Sequence, residues 1–359
     1  TRISVKTAPT YDVVIGDGIL VSAGKEKKRA MPCEKYLVIT DDGVPEIYFS
    51  ELKKSLEKEG AAVLKKIIPR GEKNKNFPTL ESILETAAEN RLTRGDGMIA
   101  LGGGVVGDIT GFAAALYMRG VKYAQVPTTL LAAIDSSVGG KTAVDLEAGK
   151  NLAGAFYQPS VVLCDVKTFL TLPVQEWQCG MGEGVKYGLL SGGKLWESVK
   201  TFYFDKNKKC LLSRKNREFI PVNIAEFVGA CVSVKAKIVQ EDEREKGLRK
   251  ILNLGHTVGH AIEKLSAYSL PHGVCVAKGI VRTAEAFPEY FGQETRNALY
   301  GIFSELGIDV SCPYAASELV SAIGADKKNY GNGVSLALIK EPGEPFIKDI
   351  EFNELEKRL

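Results

Sequence analysis

The residues best equipped for acid–base or metal chemistry are concentrated in one stretch. All three histidines, His256, His260 and His272, fall within "NLGHTVGHAIEKLSAYSLPHG", residues 253 to 273. His256 and His260 stand four apart. On a helix this puts both imidazoles on one face, where they could share a divalent metal. Val258, Ala261, Ile262 and Leu265 form the opposite, apolar face. A carboxylate is the natural further ligand, and "GMGEGVKYG" (180 to 188) offers Glu183, with Lys186 one turn along the same face. Spacing alone makes His256 and His260 the ligand pair.

Two further stretches carry chemistry. In "GMIALGGGVVGDITGFAAALYM", Gly102, Gly104 and Gly107 have G-x-G-x-x-G spacing between a strand pattern and a helix pattern. Such a turn lets backbone N–H groups approach a pyrophosphate at a helix N-terminus, although it can also be a plain tight turn. The usual ribose-binding acid about 20 residues downstream is missing. Asp41 or Asp42, after an earlier strand, stands in its place, and "PRGEKNK" adds Glu72 and Lys75 after another. In "NIAEFVGACVSVKAKIVQ" (223 to 240), Lys235 interrupts a stripe of Ile224, Phe227, Val228, Cys231 and Ile238. Such a lysine ordinarily snorkels outward; the other reading is a cation aimed into a site.

The elements around these residues alternate. "KYLVIT", "AAVLKKIIP" and "GMIAL" read as strands, and "PEIYFSELKKSLEKEG" and "TLESILETAAEN" as amphipathic helices. That alternation predicts a parallel, doubly wound sheet. After Pro173 helical periodicity dominates. The expected division is therefore residues 1–172, α/β, and residues 173–359, mainly helical. Acidic and basic residues are interspersed, 44 against 47, for a net charge of +3, and the basic clusters Lys25–Arg29 and Lys206–Lys209 are short. Nucleic-acid and membrane binding are disfavoured on that basis. Seven cysteines without a CxxC pair suit reduced core thiols. No apolar run approaches the roughly 18 residues of a bilayer span, and no signal-like N-terminus is evident, so a cytoplasmic protein is expected.

The ordered blocks "LGGGVVGDITGFAAA", "YMRG", "QVPTTLLAAIDSSVGGKTAVD", "GKNLAGAFYQP", "GEGVKYG", "KGLRKILNLGHTVGHAIE" and "HG" resemble the 3-dehydroquinate synthase family over nearly the whole chain. The resemblance implies a Rossmann-like NAD domain followed by a helical metal- and substrate-binding domain, with the active site in the cleft between them. It also implies bound NAD, one zinc or cobalt, and a homodimer. It moves the metal ligands to Glu183, His256 and His272. His260 becomes a catalytic residue, together with Lys186, Asp135 and, as a proton acceptor, Glu245. Substrate groups carry over to Arg119, Lys141, Lys150, Asn151, Lys235, Arg249, Asn253 and Lys327 (rather than Lys328), with Arg119 reaching the neighbouring subunit. NAD contacts carry over to Asp41, Glu72, Lys75, Gly103, Gly104, Asp108, Thr128 and Thr129. Family members commonly read MAEV where this chain has Met181-Gly182-Glu183-Gly184, and HGE where it has His272-Gly273-Val274. The smaller residues predict a less constrained Glu183.

The implied reaction converts 3-deoxy-D-arabino-heptulosonate 7-phosphate to 3-dehydroquinate and phosphate. A glycerol dehydrogenase-type enzyme would share the two-domain plan but release NADH, and a non-catalytic dinucleotide sensor would not need Glu183, His256 and His272 together. Deoxy-inosose and valiolone synthases would share fold and zinc. Lys235 and Arg249 argue for a substrate bearing a carboxylate, which the neutral-headed sugars lack.

Overall fold

The computed structural model describes residues 1–204, 211–215, 218–325 and 332–359. Lys206–Lys209, Cys210, Lys327 and Lys328 therefore lie outside the described residues. The chain divides into two compact units, one of Thr1–Leu172 with Ile224–Arg244, the other of Pro173–Asn223 with Glu245–Leu359.

The first unit is built on nine strands: β1 (Arg2–Val5), β2 (Tyr11–Gly16), β3 (Lys35–Asp41), β4 (Ala62–Ile68), β5 (Gly97–Gly102), β6 (Lys122–Pro127), β7 (Lys141–Leu146), β8 (Gly149–Phe156) and β9 (Val161–Asp165). Its helices are α1 (Ala23–Ala30), α2 (Glu46–Lys58), α3 (Phe77–Glu89) and α4 (Gly104–Leu116). Seven strands form one sheet in the order β1-β2-β9-β6-β5-β3-β4. All neighbours pair in parallel except β1 with β2. Helices cover both faces, so the central strands are apolar on both sides. The period of two is visible in the core: Leu37, Ile39, Met98 and Ala100 pack under α3 and α4. Their neighbours Tyr36, Val38, Ile99 and Leu101 pack under α1 and α2. The chain leaves β3 for β4 at the sheet edge, returns to β5 on the other side of β3, and continues away to β6. Winding reverses between β3 and β5, which is where open α/β sheets leave a crevice at the carboxyl ends of their strands.

The expectation of residues 173–359 as one unit needs a correction. Helix α7 (Ile224–Glu241) belongs with the first unit. Its Gly229 lies against Thr1 and Ile15, and Gln240 accepts a hydrogen bond from the Lys6 N–H. The buried stripe of Phe227, Val228, Cys231 and Val232 finds its apolar complement there rather than among the helices beyond. No periodicity reveals which neighbour a helix face will choose.

The second unit contains α5 (Val174–Ser191), α6 (Gly193–Val199), α8 (His256–Leu265), α9 (His272–Ala286), α10 (Gln293–Glu305), α11 (Ala316–Gly324) and α12 (Phe352–Arg358). It also contains strands the periodicity does not suggest: an antiparallel group of β10 (Phe202–Phe204), β11 (Leu211–Lys215) and β12 (Glu218–Pro221), and a hairpin of β13 (Gly333–Ile339) and β14 (Pro345–Glu351). Glycines bring α5, α8 and α9 together at backbone distance. A Cβ on Gly182 would lie 1.9 Å from the Gly273 carbonyl oxygen, one on Gly273 would lie 1.8 Å from that of Cys179, and one on Gly279 would lie 2.0 Å from that of Gly255. The expected looseness around Glu183 is thus overturned. Gly182 narrows the crossing of α5 and α9, and Glu183 beside it is 0% exposed.

Candidate functional site

In the second unit, Glu183 and Lys186 sit one turn apart on α5, His256 and His260 on α8, and His272 is the first residue of α9. Glu183 Oε1 lies 3.1 Å from His256 Nε2 and 3.1 Å from His272 Nε2, and Glu183 Oε2 lies 2.5 Å from Lys186 Nζ. The imidazole centroids are 5.3 Å apart for His256 with each of the others, and 5.7 Å for His260 with His272. One nitrogen from each of the three rings can be chosen so that all lie within 4.8 Å of one another. His256 is buried, His272 half-buried and His260 exposed. The structure thus brings all three histidines together and sets the expected carboxylate, Glu183, against His256 and His272.

Three basic groups converge on the Glu183 carboxylate. Burial works to raise Glu183, but Lys186, His256 and His272 hold it well below the usual carboxylate range. Burial pushes His256 below its ordinary value against the pull of Glu183. His272 moves the other way: Glu183 and Glu263 outweigh burial and push it up to about 10. Two Nε2 atoms face one oxygen that can only accept. A divalent ion would turn these competing hydrogen bonds into a set of one anionic oxygen and two imidazole nitrogens, a donor combination that suits zinc. The residues present therefore fit the implied metal.

Nearby in the same unit, Asn253 Nδ2 donates to Glu245 Oε1 at 3.3 Å, and Arg249, on the 3-10 turn Leu248–Asn253, is 1% exposed. Glu245 adopts φ +57°, a conformation few acids take. Glu263 is the residue that the sequence reading missed. It is buried, and its Oε2 lies 3.4 Å from His272 Nδ1. Its spacing of seven from His256, two helical turns, was the available signal.

In the first unit, Asp41 ends β3, Gly103 and Gly104 follow β5 at the start of α4, and Thr128 and Thr129 follow β6. These three strands are adjacent, so the residues share the carboxyl edge at the winding reversal. A Cβ on Gly102 would lie 2.7 Å from Val106 and one on Gly107 2.5 Å from Gln125, which keeps the turn tight and the helix start close to the sheet. An open helix N-terminus at a switch point fits a dinucleotide pyrophosphate. Lys75, 3% exposed, has its Nζ 2.5 Å from both Asp108 Oδ2 and Asn151 Oδ1, and 3.8 Å from Glu72 Oε1. Burial acts to lower Lys75, but Asp108 and Glu72 carry it above its ordinary value. Lys150 Nζ lies 3.5 Å from Glu72 Oε1. The implied NAD residues Glu72, Lys75 and Asp108 and the implied substrate residues Lys150 and Asn151 therefore form one network.

Lys235 does not snorkel. It is 6% exposed, with its Nζ 2.9 Å from Asp135 Oδ1 and donating to the Asp135 carbonyl at 2.8 Å. Lys141 is exposed at the start of β7. Arg119 is exposed in the turn Tyr117–Arg119, where Met118 and Arg119 both have positive φ, 48° and 66°.

Comparison with known proteins agrees over almost the full length. Residues 65–179 match the family model for the 3-dehydroquinate synthase N-terminal domain and residues 180–329 that for the C-terminal domain. The chain is 40% identical over 355 residues to the 3-dehydroquinate synthase of Clostridium acetobutylicum, covering 98% of this chain and 96% of that one. It is also 40% identical over 356 residues to that of Caulobacter vibrioides, covering 95% and 93%. Among solved structures it is similar to a 2-deoxy-scyllo-inosose synthase complexed with carbaglucose-6-phosphate, NAD+ and Co2+, with TM-score 0.87, 25% identity, and 99% and 98% coverage. An iron-containing alcohol dehydrogenase shares the fold alone, with TM-score 0.65, 16% identity, and 97% and 96% coverage.

Proposed function

The chain belongs to the 3-dehydroquinate synthase family, and we propose that it works with NAD and zinc, the ion held by Glu183, His256 and His272. Its reaction is the conversion of 3-deoxy-D-arabino-heptulosonate 7-phosphate to 3-dehydroquinate and phosphate, a step of the shikimate pathway. The observation that carries the metal reading is the single buried oxygen, Glu183 Oε1, 3.1 Å from the Nε2 atoms of both His256 and His272.

Bound NAD would supply reversible hydride transfer, and a zinc held by Glu183, His256 and His272 would supply Lewis acidity. The chain's own residues do the rest. In the first unit, the turn at Gly103 and Gly104 receives the pyrophosphate, and Asp41, Thr128 and Thr129 flank it on the neighbouring strands. Glu72, Lys75 and Asp108 complete the cofactor contacts. Lys141, Lys150 and Asn151 offer donors to the substrate, and Asp135 orients the Lys235 ammonium for its carboxylate. In the second unit, Lys186 keeps Glu183 anionic. His260, exposed beside the proposed ligands, moves a proton at a ring nitrogen, with Glu245 as acceptor beside Asn253. Arg249 pairs with the substrate carboxylate, and Lys327 is assigned to the phosphate by family resemblance. We further propose a cytosolic homodimer in which the exposed Arg119 reaches the neighbouring subunit.

Cofactor accounting tests this reading against a dehydrogenase. Phosphate release from the heptulosonate phosphate should need only catalytic NAD, stop on chelation and resume on adding zinc, with no NADH accumulating. NADH formed in step with product would refute it.

A further inference from the structure

His256 and His272 each turn Nε2 toward Glu183 and Nδ1 toward a second acceptor, and those two acceptors differ in charge. His256 Nδ1 lies 3.2 Å from the Leu254 carbonyl oxygen. His272 Nδ1 lies 3.4 Å from Glu263 Oε2. Glu263 is 4% exposed, on a helix that also buries Val258, Ala261 and Ile262. A carboxylate in such surroundings is costly unless it meets a hydrogen-bond donor. The ring of His272, on the first residue of α9, is one donor it meets. An ionised carboxylate only accepts, so the proton between the two belongs to Nδ1, and whenever the ring is neutral its lone pair is on Nε2, the side of Glu183.

We propose that Glu263 is a positioning residue of the metal centre: its carboxylate holds His272 as the Nδ1–H tautomer, fixes the ring's orientation and makes its Nε2 the more basic imidazole donor. The inference rests on the ligand assignment above and deepens it. It explains an asymmetry between the two histidines. His256 is buried and held by a neutral carbonyl, whereas His272 is half-buried at a helix start and needs a stronger hold. Outer carboxylates of this kind raise metal affinity without touching the ion.

The test is zinc affinity of the full chain, stripped of metal and titrated against a chromogenic chelator, together with the thermal midpoint of the stripped protein. Glu263→Leu should weaken zinc binding by roughly 10- to 100-fold with no fall in the metal-free midpoint, because it replaces a buried charge with an apolar side chain. Glu263→Gln, which can still accept from Nδ1–H but lacks the charge, should weaken it about 3- to 10-fold. His272→Ala should lose more than either. If His272→Ala weakens zinc but Glu263→Leu does not, the inference falls and the ligand assignment stands; if His272→Ala binds zinc as the parent does, both fall. Should the leucine protein fail to fold, Glu263→Gln decides, since a zinc affinity unchanged from the parent's overturns the proposal.

Discussion

Arg249 shows how much a single side chain can say about substrate. It is 1% exposed, and a substrate carboxylate is proposed to add a charge-assisted contact to those the protein gives it. A sugar phosphate with a neutral head would not make that contact. Arg249→Leu should remove a charge-assisted contact contributing about 2 to 4 kcal/mol, a loss of roughly 30- to 1000-fold in kcat/KM. The comparison to make is parent against variant on the heptulosonate phosphate and on sedoheptulose 7-phosphate. Equal turnover of the two sugars by the parent, or an unimpaired variant, would remove the argument. Lys235 illustrates the limit of pattern at this scale. Its place in an apolar stripe was plain, but only the fold supplied Asp135 2.9 Å away.

Among the elements, the crossing of α5 and α9 decides whether the metal ligands meet. Cys179, Gly182 and Gly273 pass at backbone distance, and Glu183 and His272 are the very next residues. Gly273→Ala would place a methyl 1.8 Å from the Cys179 carbonyl oxygen, so the helices must part. A cost of about 1 to 3 kcal/mol is expected, read as a lower thermal midpoint. Zinc affinity should fall as well, because His272 moves with its helix. A variant that loses stability but binds zinc as tightly as the parent would show that the crossing supports the fold without aligning the ligands.

For the molecule as a whole, one buried cation outside the proposed site sets a dependence of stability on pH. Lys27 on α1 is 0% exposed, and among the described residues its Nζ has no hydrogen-bond partner. Burial pushes it from an ordinary value of 10.5 down to about 7. Between those values the unfolded chain holds a proton that the folded chain has released, so stability rises as pH climbs from 7 toward 10 and carries the full penalty below 7. The penalty is on the order of a few kcal/mol. Lys27→Met should raise the thermal midpoint most near pH 6 and progressively less toward pH 10; profiles that stay parallel would assign the penalty elsewhere. Much of this molecule was legible in its sequence. Alternating apolar runs separated by Gly and Asp turns determine the parallel sheet, because strands buried on both faces and amphipathic helices have few other ways to pack. The histidine cluster, Glu183 and the glycine turn were equally visible, since their chemistry depends on residue type and short-range spacing. What tertiary structure alone decided is who meets whom across long separations. Helix α7 joins the first unit, Glu183 reaches a histidine 89 positions away, and Glu263 stands behind His272. A helix face announces that it will be buried, but its partner is selected by shape and close backbone approach, which a local pattern does not encode.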